Sequence, residues 1–347
     1  MSASKQISFA RFPGYQPPQQ TAQAEAGRAV PYLDVTGEDT PIDFLFTLGG
    51  KSGIIARANL HTLQGTKKAG KSAAGLALIV AALKGEFIGI TASRESMAVL
   101  WIDTEQDKDT LRRKAKAVLS MAGLDTPPER LKIVTLRGYG GPAEALAATL
   151  QAIQENAADF VFLDGVVDLC QAFNDEEKSR DVVRQLETYA EQYGAAILGL
   201  IHTNKRDNEA RGHLGAIMQQ KSAEIYQVDK EGDTAKVTQP FSRFAPVPPF
   251  SFAFEDDFKI GPAAEAVSRA KEETRARFAE LFKDAKRQTA GELAGAYADA
   301  HGCSTRQAET EMQAATAAGV LFKSKEGRNV YYSYLFPADM EGAEDDI

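Results

Sequence analysis

The densest concentration of chemistry in the chain is Gly65-Thr66-Lys67-Lys68-Ala69-Gly70-Lys71-Ser72, which fits the phosphate-loop pattern G-x-x-x-x-G-K-[ST]. A β-type run, Asn59–Gln64, precedes it, and an Ala/Leu-rich helical stretch, Lys71–Leu83, follows. In that setting the N–H groups of the turn and the positive end of the helix dipole converge on phosphate oxygens. Gly65, Thr66, Lys67, Lys68, Ala69, Gly70, Lys71, Ser72 and Ala73 are therefore the expected nucleotide-binding residues. Lys71 brings a point charge to the β- and γ-phosphates, and the Ser72 hydroxyl completes a Mg²⁺ shell. ATP with Mg²⁺ is the expected cofactor pair.

Hydrolysis also asks for an acid that holds the metal and a group that activates water. Phe160-Val161-Phe162-Leu163-Asp164 is an apolar strand ending in a carboxylate, which makes Asp164 the metal candidate beside Ser72. A second acidic strand end, Leu100-Trp101-Ile102-Asp103-Thr104-Glu105, offers Glu105 as general base if its strand lies beside the phosphate-loop strand. Asp103 and Glu105 suit equally well the N-terminus of the helix that follows, where acids are favoured. A third run, Ala196–Ile201, ends in His202-Thr203-Asn204-Lys205, so His202 is placed to sense a γ-phosphate, although a lone strand-end histidine is usually structural. None of His61, His202, His213 and His301 pair at metal-ligand spacing, so no zinc is expected.

Strand-like runs and amphipathic stretches alternate around these residues. Val99–Asp103 precedes a helix at Lys108–Ala122, Leu131–Leu136 precedes Pro142–Glu155, and Phe160–Asp164 precedes Glu177–Tyr193. Such βα repeats need crossovers, so an α/β fold with a mostly parallel, doubly covered sheet is predicted. After Ile201 the short runs Ala223–Lys230, Thr234–Gln239 and Phe250–Phe254 predict an antiparallel extension. Beyond Gly261, helices at Ala263–Ala285, Thr289–His301 and Ser304–Ala318 precede strands Val320–Lys323 and Asn329–Tyr334, a winged-helix pattern. The predicted organisation is a flexible N-terminal arm over 1–40, an α/β domain over 41–261, a winged-helix domain over 262–337 and an acidic tail over 338–347.

Composition narrows the function classes. The chain has 347 residues, 44% hydrophobic and 25% charged, which excludes fibrous and wholly disordered types. Its two cysteines, Cys170 and Cys303, supply neither a disulfide framework nor a zinc ribbon and suit a reducing compartment. The absence of an apolar leader core or span predicts a cytoplasmic protein without membrane contact. Net charge is −8, but Asp339, Glu341, Glu344, Asp345 and Asp346 supply five of those charges, so basic grooves remain possible elsewhere.

Taken together, Gly65–Ser72, Ile102–Glu105, Phe160–Asp164 and His202-Thr203-Asn204-Lys205 with Arg211-Gly212 resemble the ordered motifs of RecA-like P-loop ATPases. The resemblance spans about Pro41–Asp256 and is nearest to the RepA-type branch of plasmid and mobile-element replicative helicases, related to DnaB. It implies that Lys71 binds phosphate, Ser72 and Asp164 hold Mg²⁺, Glu105 activates water and His202 reads the γ-phosphate. It further implies a homo-oligomer, a hexameric ring, in which a basic residue from one subunit reaches its neighbour's nucleotide. Lys221 and Arg243 are the two candidates for that finger, and the planar guanidinium of Arg243 suits a phosphoryl transition state better. Single-stranded DNA is the implied partner, tracked by Lys178 and Arg180 within Asp168–Arg180 and by Lys205, Arg206 and Arg211 within Lys205–Gln220. A replication initiator, primase or recombinase is the implied protein partner class. An ATP-switched DNA-binding or assembly protein without unwinding, and a small-molecule kinase, are the competing readings. The added C-terminal module suits duplex contact through Arg306, Gln307, Lys323, Lys325 and Arg328, or protein docking, with Glu309 and Glu311 opposing a major-groove fit.

Overall fold

Burial along the strands alternates between two faces, and this sets the layers. Val99, Trp101, Phe160 and Phe162 enter one hydrophobic cluster, whereas Leu100, Ile102, Val161 and Leu163 enter the other. Strands apolar on both faces belong in the middle of a covered sheet. In the computed structural model, residues 35–36, 38–203, 210–283 and 286–334 are described. The expected acidic tail, nearly all of the expected arm, and Asn204, Lys205 and Arg206 lie outside those residues.

In chain order the elements are β1 (Phe44–Leu48), β2 (Ser52–Ala56), β3 (Leu60–Gly65), α1 (Lys71–Lys84), β4 (Glu86–Phe87), β5 (Ile90–Ala92), β6 (Val99–Asp103) and α2 (Lys108–Ala122). Then come β7 (Leu131–Thr135), α3 (Pro142–Asn156), β8 (Phe160–Asp164), α4 (Glu176–Tyr193), β9 (Ala196–His202), α5 (Gly212–Lys221), β10 (Glu224–Glu231), β11 (Thr234–Ser242), β12 (Phe250–Phe254) and β13 (Ile260–Pro262). The C-terminal segment holds α6 (Ala263–Ala279), β14 (Arg287–Thr289), α7 (Ala290–His301), α8 (Thr305–Ala317), β15 (Leu321–Glu326) and β16 (Asn329–Tyr334).

The main sheet runs β13-β12-β11-β10-β3-β9-β8-β6-β7. From β10 to β7 every pairing is parallel, and from β10 to β13 every pairing is antiparallel. The expected α/β layout, a mostly parallel sheet with an antiparallel extension, is therefore present. Helix α1 is buried on nearly every side, from Ala74 through Leu83, as an all-round apolar helix must be. Gly75 sets its distance from the sheet: a Cβ there would lie 2.2 Å from the Phe162 ring on β8. The bare backbone lets the phosphate-loop helix close onto the strand that ends in Asp164.

Two features were not read from sequence. A second sheet, order β2-β1-β5-β4, packs near α1; its strands are short and turn at glycines such as Gly49 and Gly50. The helix expected over Ala263–Ala285 ends at Ala279, passes through a 3₁₀ turn at Glu280–Phe282 and gives way to β14. Phe282 is buried in the C-terminal core with Leu293, Met312 and Tyr332, and the Thr289–Glu292 capping box restarts the chain as α7. Among the described residues no helix is long and apolar enough to cross a membrane.

Candidate active site

Parallel pairing of β3, β9, β8 and β6 brings their C-terminal ends to one rim. Gly65 stands in register with His202, and Asp103 with Asp164. Ligands of open α/β sheets sit outside this rim.

The phosphate loop closes on itself between β3 and α1. Gly70, at φ +101°, forms the N-cap of α1, and Lys71 follows immediately at 4% exposure. The Lys71 ammonium donates to the carbonyls of Gly65 at 2.9 Å and Thr66 at 2.7 Å. Burial pulls its pKa from 10.5 down to about 8, against the upward pull of the Asp164 and Glu105 charges.

Asp164 ends β8 at 2% exposure. Its Oδ2 lies 3.9 Å from the Lys114 ammonium, an ion pair too long for a hydrogen bond. Burial pushes the carboxyl up to about 6, opposed by Lys114 and the Ser72 hydroxyl and reinforced by the charges of Asp103 and Glu105. Oδ2 of Asp164 and Oδ2 of Asp103 are both buried without a hydrogen-bond partner. Orphaned carboxylate oxygens beside a hydroxyl are the donor set a hard divalent cation takes, so these residues fit Mg²⁺.

The acidic end of β6 divides its labour. Asp103 Oδ1 accepts from the N–H groups of Glu105 at 3.0 Å and Gln106 at 2.7 Å, which fixes the turn and burial raises its pKa. Asp107, not Glu105, caps α2, accepting from the N–H groups of Asp109 and Thr110. The helix-capping alternative therefore does not describe Glu105. Nor is β6 beside β3: β9 and β8 lie between them. Glu105 nonetheless crosses β8 and brings Oε1 to 3.6 Å from His202 Nε2. Gly165 (φ +110°) leaves the passage open, because a Cβ there would lie 2.2 Å from Thr104 Oγ1 and 3.2 Å from Glu105 Cγ. The polar contact with His202 lowers the Glu105 pKa, burial opposes it, and the charges of His202, Lys71 and Lys114 add to the lowering.

Other expected residues lie elsewhere. Register puts Ser242 opposite Glu224 and Glu224 beside His61, so Arg243 sits at the start of β3, on the rim opposite the phosphate loop. There Arg243 donates to the Lys221 carbonyl at 3.0 Å, and the Lys221 ammonium pairs with Glu187 at 3.3 Å. Both line a polar cleft of about 300 Å³ with Asn59 and Glu191. Residues 212–220 of the expected DNA-tracking stretch Lys205–Gln220 belong to α5, and Lys178 and Arg180 stand on α4, where Arg180 pairs with Glu176. Arg211 lies 5.4 Å over the Phe173 ring.

Sequence reasoning missed Lys114, which occupies the inward stripe of α2 with Leu111 and Val118 and is 7% exposed. A charged residue on an apolar helical stripe was the available signal. It also missed a row of amides beneath the loop: Gln219 Nε2 donates to Gln64 Oε1, Gln64 Nε2 to Gln227 Oε1, and Gln227 Nε2 to Asp229 Oδ1.

No curated protein matches the chain. Among solved structures, the crystal structure of the RadB recombinase is similar at 13% identity and a TM-score of 0.43, over 61% of this chain and 93% of that chain. Residues 48–208 match the family model described as AAA domain. That segment contains the phosphate loop, Asp103, Glu105, Asp164 and His202, and it is similar to AAA domains.

Proposed function

We propose that this chain is an ATP-hydrolysing, DNA-dependent motor that works as a homo-oligomeric ring, a replicative helicase of a plasmid, phage or other mobile element. The carrying observation is the Glu105–His202 contact across β8, 3.6 Å long and on the same rim as Lys71 and Asp164. In this reading Lys71 leaves the Gly65 and Thr66 carbonyls to bind phosphate, and Ser72 and Asp164 hold Mg²⁺. The metal, when bound, neutralises charge on the transferring phosphoryl group. Glu105, kept ionised by His202, takes the proton of the attacking water. His202 ends the strand paired with β3 and is followed in sequence by Thr203-Asn204-Lys205-Arg206, so the noncovalent Glu105 contact reaches a residue three and four positions ahead of two cations.

The remoteness of Arg243 from its own phosphate loop supports a role on a neighbouring subunit's nucleotide. The order α6-β14-α7-α8-β15-β16, with sheet order β14-β16-β15, supports a winged-helix module over 262–337. ATP turnover measured with and without single-stranded DNA, alongside strand displacement, tests the motor. Turnover that rises with DNA and displaced strand are expected. Tight nucleotide binding with slow, DNA-indifferent turnover and no displacement would replace the motor with an ATP-switched assembly protein.

A further inference from the structure

We infer that the C-terminal segment carries a duplex-DNA-binding surface formed by the outward face of α8 and the β15–β16 hairpin, separate from the ATPase rim. Helix α7 closes at Gly302 (φ +62°) and Ser304 caps α8, so Gly302-Cys303-Ser304 joins the two helices. That is the turn length of a helix-turn-helix, whose second helix enters the major groove. Ala308, Met312 and Ala315 bury the inner stripe of α8. The opposite stripe presents Arg306, Thr310, Gln313 and Ala317, all exposed, with no acid among them.

The acids that argued against a groove fit are turned away or flank the surface. Glu311 pairs with Arg277 of α6 at 3.3 Å, and Glu309 stands at the edge of the outer stripe. In the hairpin, Glu326 pairs with Arg287 at 2.6 Å, and that guanidinium lies 3.9 Å over Tyr331. Lys323 and Lys325 share a sheet face with buried Leu321, because strand residues two apart point the same way. Arg328 follows in the turn. Among the described residues Arg306, Lys323, Lys325 and Arg328 form no ion pair. The span 286–334 has six basic and five acidic residues, and the exposed outer stripe of α8 carries Arg306 with no acid.

The surface chemistry favours DNA over protein. The exposed large hydrophobic residue of this segment, Phe322 at 44%, lies on the sheet face opposite the lysines. A protein interface centres on apolar anchors and is depleted in lysine. Single-strand binding draws on stacking aromatics, whereas Tyr331 is already covered by Arg287.

The test uses the full chain without nucleotide and a short labelled duplex, read by fluorescence anisotropy. Four phosphate contacts predict a slope of log K against log salt of about −3.6, or about a 150-fold loss of affinity between ~50 and ~200 mM salt. Substituting Lys323→Ala, Lys325→Ala and Arg328→Ala together should leave a loss of about 3- to 4-fold over that range. Arg306→Ala alone should flatten the slope by about 0.9. Neither variant touches the ATPase rim, so DNA-free ATP turnover and the melting temperature should match the parent chain. Failure of ATP turnover in every form would overturn the ATPase reading and leave the duplex result standing. Absence of duplex binding, or a triple variant with the parent's salt response, would overturn the inference.

Discussion

Asp164→Asn should make the nucleotide-free protein more stable while removing its response to Mg²⁺ and ATP. The carboxyl is 2% exposed, and its pKa stands at about 6 against an ordinary 3.8, chiefly because burial penalises the charge. At neutral pH, where it is ionised, that difference corresponds to a destabilisation of about 3 kcal/mol. Asparagine keeps the shape and drops the charge, but Lys114 and Lys71 lose an attractive partner. The net gain should be about 1–3 kcal/mol, or a rise of about 2–10 °C in midpoint for a chain of this size. The sign with pH follows from the raised pKa. The protonated Asp164 favours the fold below 3.8, and that contribution is lost as pH rises through about 6. The gap between variant and parent should therefore open over that window and close again on acidification. Thermal unfolding in chelator reads the gain, and the same melt with Mg²⁺ and ATP reads the loss of ligand response. At a hundredfold excess over Kd the parent should gain about 2.7 kcal/mol and the variant almost none. A variant less stable than the parent in chelator, or a gap that widens toward low pH, would refute this account of Asp164.

Glu105→Gln should bind ATP as the parent does and turn it over about 10²- to 10⁴-fold more slowly; unchanged turnover would remove Glu105 from the chemistry. Lys71→Ala should lose ATP binding by calorimetry, and retained affinity would contradict the cradle. Arg243→Ala should lower turnover in the assembled form alone, so an equal defect at dilutions that separate subunits would rule out a role between them. Gly75→Ala should cost about 1–3 kcal/mol by urea unfolding, because its methyl group would meet the Phe162 ring at 2.2 Å; an unchanged midpoint would mean the helix and β8 separate freely.

The parts of this molecule governed by local pattern were legible in advance. Val99–Asp103, Lys108–Ala122 and Phe160–Asp164 have the bounds expected, since a buried parallel strand and a capped amphipathic helix each carry a full signature within one segment. The phosphate loop and the three strand-end residues Glu105, Asp164 and His202 likewise meet on one rim. What depended on strand order was not legible: nothing within Ile102–Glu105 says that β8 and β9 separate it from β3, or that Gly165 clears its path. Two-residue β4 and three-residue β5 and β14 are too short for periodicity to register. Helix α5 carries little local signal, because Gly212 and Gly215 interrupt its ten residues. Lys114 sits among several other charged residues of α2, which hides its place on the inward stripe.

The amide row under the phosphate loop has a sense as well as a position. Asp229, once ionised, has only lone pairs to offer, so the Gln227 side chain must present its NH₂ group there and its oxygen to Gln64. Gln64 is then obliged to turn its own oxygen toward Gln219 on α5. One terminal charge thereby dictates the orientation of three uncharged groups in series, and rotating any of them sets oxygen against oxygen or NH₂ against NH₂. Helix α5 is thus keyed to the residue just ahead of Gly65 by a ratchet with a single seating.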